Sequence, residues 1–205
     1  YFIEHNPEFK NKVEVLPNAI KLRDIHLKYT GEDFGVAKDK FVIVYGGNLG
    51  YPQTIEYLIE CAQSLEQEDN IQFVVAGTGS RQFLIEKYIE KYKPNNFIYL
   101  GQLPKDKYDE LVYNCDVGLI FLDHRFTIPN YPQRLLSYLQ AKLPIIAATY
   151  KNTDIGTIAQ DNGYGLFVES TDVTSFKEKV LLLSKDTKHT KTMGENGYRY
   201  LKENY

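Results

Sequence analysis

The chain has 205 residues, a formal net charge of -3 and 43% hydrophobic residues. That is enough for one large domain with a core, and it argues against a strongly basic nucleic-acid surface. No apolar run reaches the length that spans a bilayer, and the scattered histidines (His5, His26, His124, His189) and the two cysteines show no metal-ligand spacing.

Cys61 and Cys115 sit inside apolar patterns, as buried thiols in a reducing compartment do. Met193 is the only methionine and the chain opens at Tyr1, so the sequence is expected to be a piece of a longer protein.

Residues 1–40 are mixed and polar. "KVEVLPNAI", broken by Pro17 and Asn18, reads as a strand end or linker, and "KYTGEDFGVAKDK" follows as a loop. From Phe41 the pattern becomes regular. Strands are predicted at Phe41–Tyr45, Ile71–Ala76, Phe97–Leu100, Val117–Phe121, Ile145–Ala148 and Leu166–Val168. Several are continuous apolar runs, as expected of strands covered on both faces.

Helical periodicity falls between the strands. It is seen at Ile55, Leu58, Ile59, Ala62 and Leu65; at Ile85, Tyr88, Ile89 and Tyr92; and at Tyr108, Leu111, Val112 and Cys115. It recurs from Leu135 with Tyr138 and Leu139, and at Val173, Phe176, Val180 and Leu183. "HTKTMGENGYRYLKENY" closes the chain as a tyrosine-rich helix.

This alternation predicts a doubly wound, Rossmann-like α/β parallel sheet, in which ligands bind beyond the carboxyl ends of the strands. The loops to watch are therefore Gly46–Gln53, Gly77–Arg81, Gly101–Lys105, Asp123–Gln133 and Thr149–Asp154. Gly46, Gly47 and Gly50 form a glycine turn between a strand and a helix. Such a turn is either tight βα geometry alone or a phosphate cradle. From Gly46 to Thr54 it contains no Lys or Arg.

Gly77 and Gly79 repeat the arrangement after the next strand. Gly101 to Leu103 could present backbone to a base edge. Arg134 falls in the first turns of a helix, where the helix dipole disfavours a cation unless an anion shares the site; a solvated arginine is the alternative. No nucleophile elbow, Cys–His pair or Asp-x-Asp triplet is present.

Taken in order, "VYGGNLGYPQTIEYLIECA", "FVVAGTGSR", "NNFIYLGQLPKDKYDELVYNCDVGLIFL", "RLLSYLQAKLPIIAAT" and "NGYGLFVESTD" resemble the C-terminal half of GT-B glycosyltransferases. The likeness is to the retaining, nucleotide-sugar-using group often called family 4, in its capsule, exopolysaccharide and lipopolysaccharide O-antigen branch. The resemblance implies a chain division of 1–40 as interdomain linker and N-terminal arm and 41–187 as the nucleotide-sugar-binding Rossmann-like domain. Residues 188–205 would be a helix returning to an N-terminal domain outside this sequence.

It also implies residue roles. Gly47, Asn48, Leu49 and Gly50 are the diphosphate turn, but the Arg and Lys many members carry there are Asn48 and Gln53 here. The pair of glutamates common in the family falls on Pro129 and Ser137. A glycine before the following strand is Lys142. Arg134 is then the remaining cation for the leaving diphosphate. Backbone N–H groups of Asn48 to Gly50 and the following helix end would assist it.

Gln53, Gly77, Gly79, Gln133 and Ser137 are further donor-binding positions, and Gly101 and Gln102 face the base. No metal and no cofactor is expected. The implied partners are a nucleoside-diphosphate sugar, with UDP favoured, a glycan or lipid-linked acceptor, and the protein's own N-terminal domain; nucleic acid is not among them. The implied setting is a bacterial cytoplasm, with peripheral association at the inner face of the membrane as an option, and the piece alone should be inactive. Two rival readings are a GT-B-shaped sugar-nucleotide epimerase, for which only Asp123 and His124 offer catalytic groups, and a degenerate nucleotide-binding or assembly module.

Overall fold

The computed structural model describes residues 2–14, 16, 18–23, 34–125, 131–150 and 153–205. Pro17, Pro129 and the first part of the 28–40 loop lie outside the described residues.

Six parallel strands form one sheet in the order β3-β2-β1-β4-β5-β6. They are β1 (Phe41–Gly46), β2 (Ile71–Ala76), β3 (Phe97–Tyr99), β4 (Val117–Phe121), β5 (Ile145–Thr149) and β6 (Gly165–Glu169). The first half winds one way from β1 and the second half the other, so the strand order reverses between β1 and β4, where Ile43 pairs with Val117. The loops leaving β1 and β4 diverge there and open a crevice.

Each strand alternates between two apolar layers, which explains its continuous apolar sequence. Phe41, Ile43 and Tyr45 of β1 face a layer with Leu58, Ile85 and Phe176. Val42 and Val44 face Leu111, Leu135, Ile155 and Leu201. The first layer is covered by α2 (Ile55–Ser64), α3 (Gln82–Tyr92) and α7 (Val173–Lys185). The second is covered by α4 (Lys105–Val112), α5 (Arg134–Gln140), α6 (Ile155–Asp161) and α8 (Thr187–Asn204). A short α1 (Phe2–His5) buries nothing. Each fully buried aliphatic or aromatic side chain contributes about 1.5–3 kcal/mol.

Local sequence sets the helix ends. α3 ends at Lys93 in a left-handed conformation before Pro94. Asp172 caps α7 by accepting from Ser175 N at 2.9 Å, and Asp186 caps α8 by accepting from His189 N at 2.9 Å. α8 packs on α5 through its glycines. A Cβ on Gly194 would sit 1.9 Å from Lys142 O, and one on Gly197 would sit 2.8 Å from Leu139 Cδ2. The terminal helix, foreseen from residue 188, begins at Thr187 and is docked on this domain's own core through Met193 and Leu201. Lys142 takes φ +57°, the left-handed conformation that glycine adopts without cost.

Candidate functional site

A cavity of about 700 Å³ occupies the crevice where the strand order reverses. Its walls come from the turn after β1 (Gly46, Gly47, Asn48, Gln53), the end of β2 (Ala76, Gly77, Thr78) and the β3–α4 connection (Gln102, Leu103, Lys105). Tyr108, the end of β4 (Phe121, Leu122) and the start of α5 (Pro132, Gln133, Arg134, Ser137) complete it. Of the residues singled out in sequence, the fold brings Gly47, Asn48, Gln53, Gly77, Gln102, Gln133, Arg134 and Ser137 to this wall.

Leu49, Gly50, Gly79 and Gly101 do not line it. Leu49 is fully buried in the core. Gly79 is a packing glycine whose Cβ would fall 2.5 Å from Leu49 O. Gly101 O accepts from Gly77 N at 2.7 Å.

The glycine turn is held almost entirely by its own bonds. Gly47 N donates to Ala76 O at 2.9 Å and Leu49 N to Thr78 O at 2.9 Å. Gln53 Oε1 accepts from Gly50 N at 3.2 Å and from Asn48 Nδ2 at 3.1 Å. The expected row of free N–H groups from Asn48 to Gly50 is therefore corrected: two of the three are used inside the protein. Only the Asn48 N–H lacks a partner among the described residues. A 3-10 turn, Tyr51–Gln53, separates the loop from α2, and no α2 residue lines the cavity. The helix ends at the wall are those of α4, through Lys105, and α5, through Arg134.

The glycines have steric reasons. Gly77 has φ +146° and a Cβ there would stand 1.8 Å from Gly47 O. At Gly46 a Cβ would overlap the Tyr108 hydroxyl, 2.0 Å away.

Arg134 reaches the cavity from the first residue of α5. Its guanidinium lies over the Tyr45 ring, with Cζ 4.5 Å from the centroid. Nη2 is the nearest atom to where a Gly47 Cβ would be, at 3.4 Å. Nη1 is buried and has no hydrogen-bond partner, and Arg134 pairs with no carboxylate among the described residues. A guanidinium stays charged, and a half-buried one without a counter-ion carries a partial desolvation penalty that a bound anion relieves.

The other candidate cations differ. Arg81 is paired with Glu56 and stacked 4.4 Å over Tyr51, off the cavity wall. Lys105 lines the cavity and pairs with Asp109. The Asp109 side chain, 6% exposed, is also 3.6 Å from Arg23.

Tyr138 Oη accepts from Gly46 N at 3.2 Å and faces Val44 O at 3.4 Å. Burial pushes Tyr138 up to about 12 and Tyr108 well above the ordinary tyrosine range, so both remain protonated at neutral pH. Asp123 accepts from Arg125 N at 2.8 Å, Nε at 2.8 Å and Nη2 at 2.6 Å. These bonds hold its carboxyl below the usual range. It is thus an ionised carboxylate already occupied by a guanidinium, a poor start for proton abstraction. No cluster of three metal-ligating side chains occurs among the described residues, and no helix there is long and apolar enough to cross a membrane.

Tyr45, Lys105, Tyr108 and Tyr138 were not foreseen as site residues. The tyrosines fall at apolar positions of regular patterns and read as core. Lys105 closed a loop already marked for its position at a strand's carboxyl end.

A family model described as Glycosyl transferases group 1 matches residues 31–200. The chain is 27% identical over 128 residues to the probable glycosyltransferase WbjE of Pseudomonas aeruginosa, covering 62% of this chain and 32% of that protein. Among solved structures, the C-terminal domain of the glycosyl transferase group 1 family protein LpcC from Francisella tularensis matches with a TM-score of 0.66 at 18% identity. That match covers 85% of this chain and 90% of that one. A structure of S. aureus TarM in complex with fondaparinux, α-GlcNAc-glycerol and UDP matches with a TM-score of 0.74 at 16% identity, covering 98% of this chain and 39% of that one. The chain thus spans about a third of the first curated relative's length.

Proposed function

The chain belongs to the glycosyl transferases group 1 family, and from that premise we propose that it is the donor-binding part of a glycosyltransferase. The donor is a nucleoside-diphosphate sugar, with UDP as the nucleotide. The sugar passes with retention to a glycan or lipid-linked acceptor in surface-polysaccharide synthesis. The observation that carries this reading is Arg134, half-buried at the wall of a cavity of about 700 Å³ at the sheet's switch point, with its Nη1 buried without a hydrogen-bond partner and no carboxylate paired with it among the described residues.

UDP as the donor nucleotide is supported by the TarM neighbour that holds it. Retention and the polysaccharide setting are supported by the likeness to family-4 sequences.

In this reading the departing diphosphate gathers charge as the glycosidic bond breaks. Arg134 and the Asn48 N–H stabilise it, being fixed in place before the reaction. The Ser137 hydroxyl, Gln133 and Gln102 supply hydrogen bonds to ribose and base. Neutralisation falls to Arg134 and not to a metal. The acceptor is supplied from the N-terminal domain that would precede this chain, so the chain alone binds donor without turning it over.

Isothermal calorimetry with UDP tests the reading. The chain should bind UDP, and Arg134→Ala should weaken binding about 10–100-fold, the worth of a charge-assisted hydrogen bond. A wild-type chain with no heat of UDP binding would sink it.

A further inference from the structure

Arg134 is long and has many rotamers, and it has no carboxylate partner among the described residues to hold it; leaving it free would cost affinity, because binding would then have to order it. One side chain solves this. Tyr45 is fully buried at the end of β1, with its ring 6.3 Å from Phe121 and 4.5 Å from Arg134 Cζ.

Its hydroxyl does a second thing. It donates to Asn48 O at 2.9 Å, while the N–H of that same peptide, on Leu49, donates to Thr78 O at 2.9 Å. The peptide between Asn48 and Leu49 is therefore pinned at both ends. Asn48 itself lines the cavity.

We propose that Tyr45 is a positioning residue that holds the two halves of the anion site in register, the α5 guanidinium by its ring and the glycine turn by its hydroxyl. This rests on the donor-binding reading above. The ring supplies a flat, desolvated face on which a guanidinium stacks, a site type in which the attraction is strongest. The sequence signal is a tyrosine as the last side-chain-bearing residue of a strand before two glycines.

The test combines a binding cycle with a resonance that needs no ligand. In the 205-residue chain, UDP and uridine affinities are measured for wild type, Tyr45→Phe, Tyr45→Leu, Arg134→Ala and the Tyr45→Leu/Arg134→Ala double variant. Tyr45→Leu should weaken UDP about tenfold or more and leave uridine unchanged. Tyr45→Phe, which keeps the ring, should lose far less. Adding Tyr45→Leu to Arg134→Ala should cost less than about twofold.

The Arg134 Nε–Hε cross-peak should be shifted upfield by the ring in wild type and in Tyr45→Phe. Equal losses for UDP and uridine, or full additivity in the double variant, would show a merely structural tyrosine and overturn the inference. Should Tyr45→Leu not fold, an Arg134 Hε at its free-arginine position in wild type overturns it alone. Absence of UDP binding by wild type is a different result: it removes the donor reading, and this inference with it.

Discussion

Gly77 shows most directly how a single residue shapes the site. With φ +146° and Gly47 O where a Cβ would go, it lets the two loops that wall the cavity touch backbone to backbone. Gly77→Ala should cost about 3 kcal/mol, from overpacking and strained backbone together, read as a lower urea midpoint at unchanged m-value. Lys142 is the converse case, a side chain where glycine is at ease. Lys142→Gly should raise stability by about 0.5–1 kcal/mol, even after loss of the exposed Lys142–Glu195 ion pair at 2.9 Å. A drop in the urea midpoint would mean that this ion pair outweighs the backbone strain.

The elements themselves were largely legible. Ile71–Ala76 and Val117–Phe121 match their predicted bounds, because a doubly covered strand is an uninterrupted apolar run with turn residues at both ends. α6 was missed: Gly156 and Thr157 are weak helix formers and mask an apolar spacing, Ile155, Ile158 and Ala159, that matches the one that marked the equally short α5. The site was legible only in part, for a similar reason. Glycines and an out-of-place arginine announce themselves. Tyr45 and Tyr138 satisfy the apolar pattern whether or not their hydroxyls have work to do.

The capped helices give a prediction in pH. Bonds from the Ser175 hydroxyl and N–H hold the Asp172 carboxyl below its ordinary range, and Arg125 does the same for Asp123. Because each folded-state pKa is depressed, the unfolded chain binds these protons first. Their contribution is whole above about pH 4 and is lost as pH falls through the depressed values. Asp116 acts in the opposite sense, since burial raises it. Thermal midpoints should therefore fall on acidification below about pH 4, and Asp172→Asn should flatten that fall. An unchanged slope in the variant would remove Asp172 from the account.

At the scale of the molecule, the cavity is bounded by both windings of the sheet and by α5, which is braced in turn by α8. A ligand there should stabilise the domain as one unit. UDP at about 100 times its Kd should add about 2.7 kcal/mol, a rise of roughly 5–10 °C in Tm for a chain of this size. A rise with uridine equal to that with UDP would show that the diphosphate adds no binding energy. Cys61 and Cys115 lie in the same cores, with burial pushing both thiols up. They should resist thiol reagents until the whole domain opens, with labelling that tracks global unfolding in urea.

The Asn48–Gln53 bond of 3.1 Å also bears on how such a sequence can change. These are the two places at which the family-4 resemblance implies Arg and Lys, and here the side chains at both are tied to each other and to the turn. An arginine introduced at Asn48 alone would remove one of the two bonds that Gln53 Oε1 accepts, and a lysine at Gln53 alone would strand the Asn48 Nδ2 and the Gly50 N–H. Each single step therefore loosens the loop before any new charge can be used, and Arg134 already occupies the space beside Gly47. In this sequence, moving the charge from the helix to the loop would therefore need several simultaneous exchanges, an epistatic barrier that favours keeping the cation on the helix.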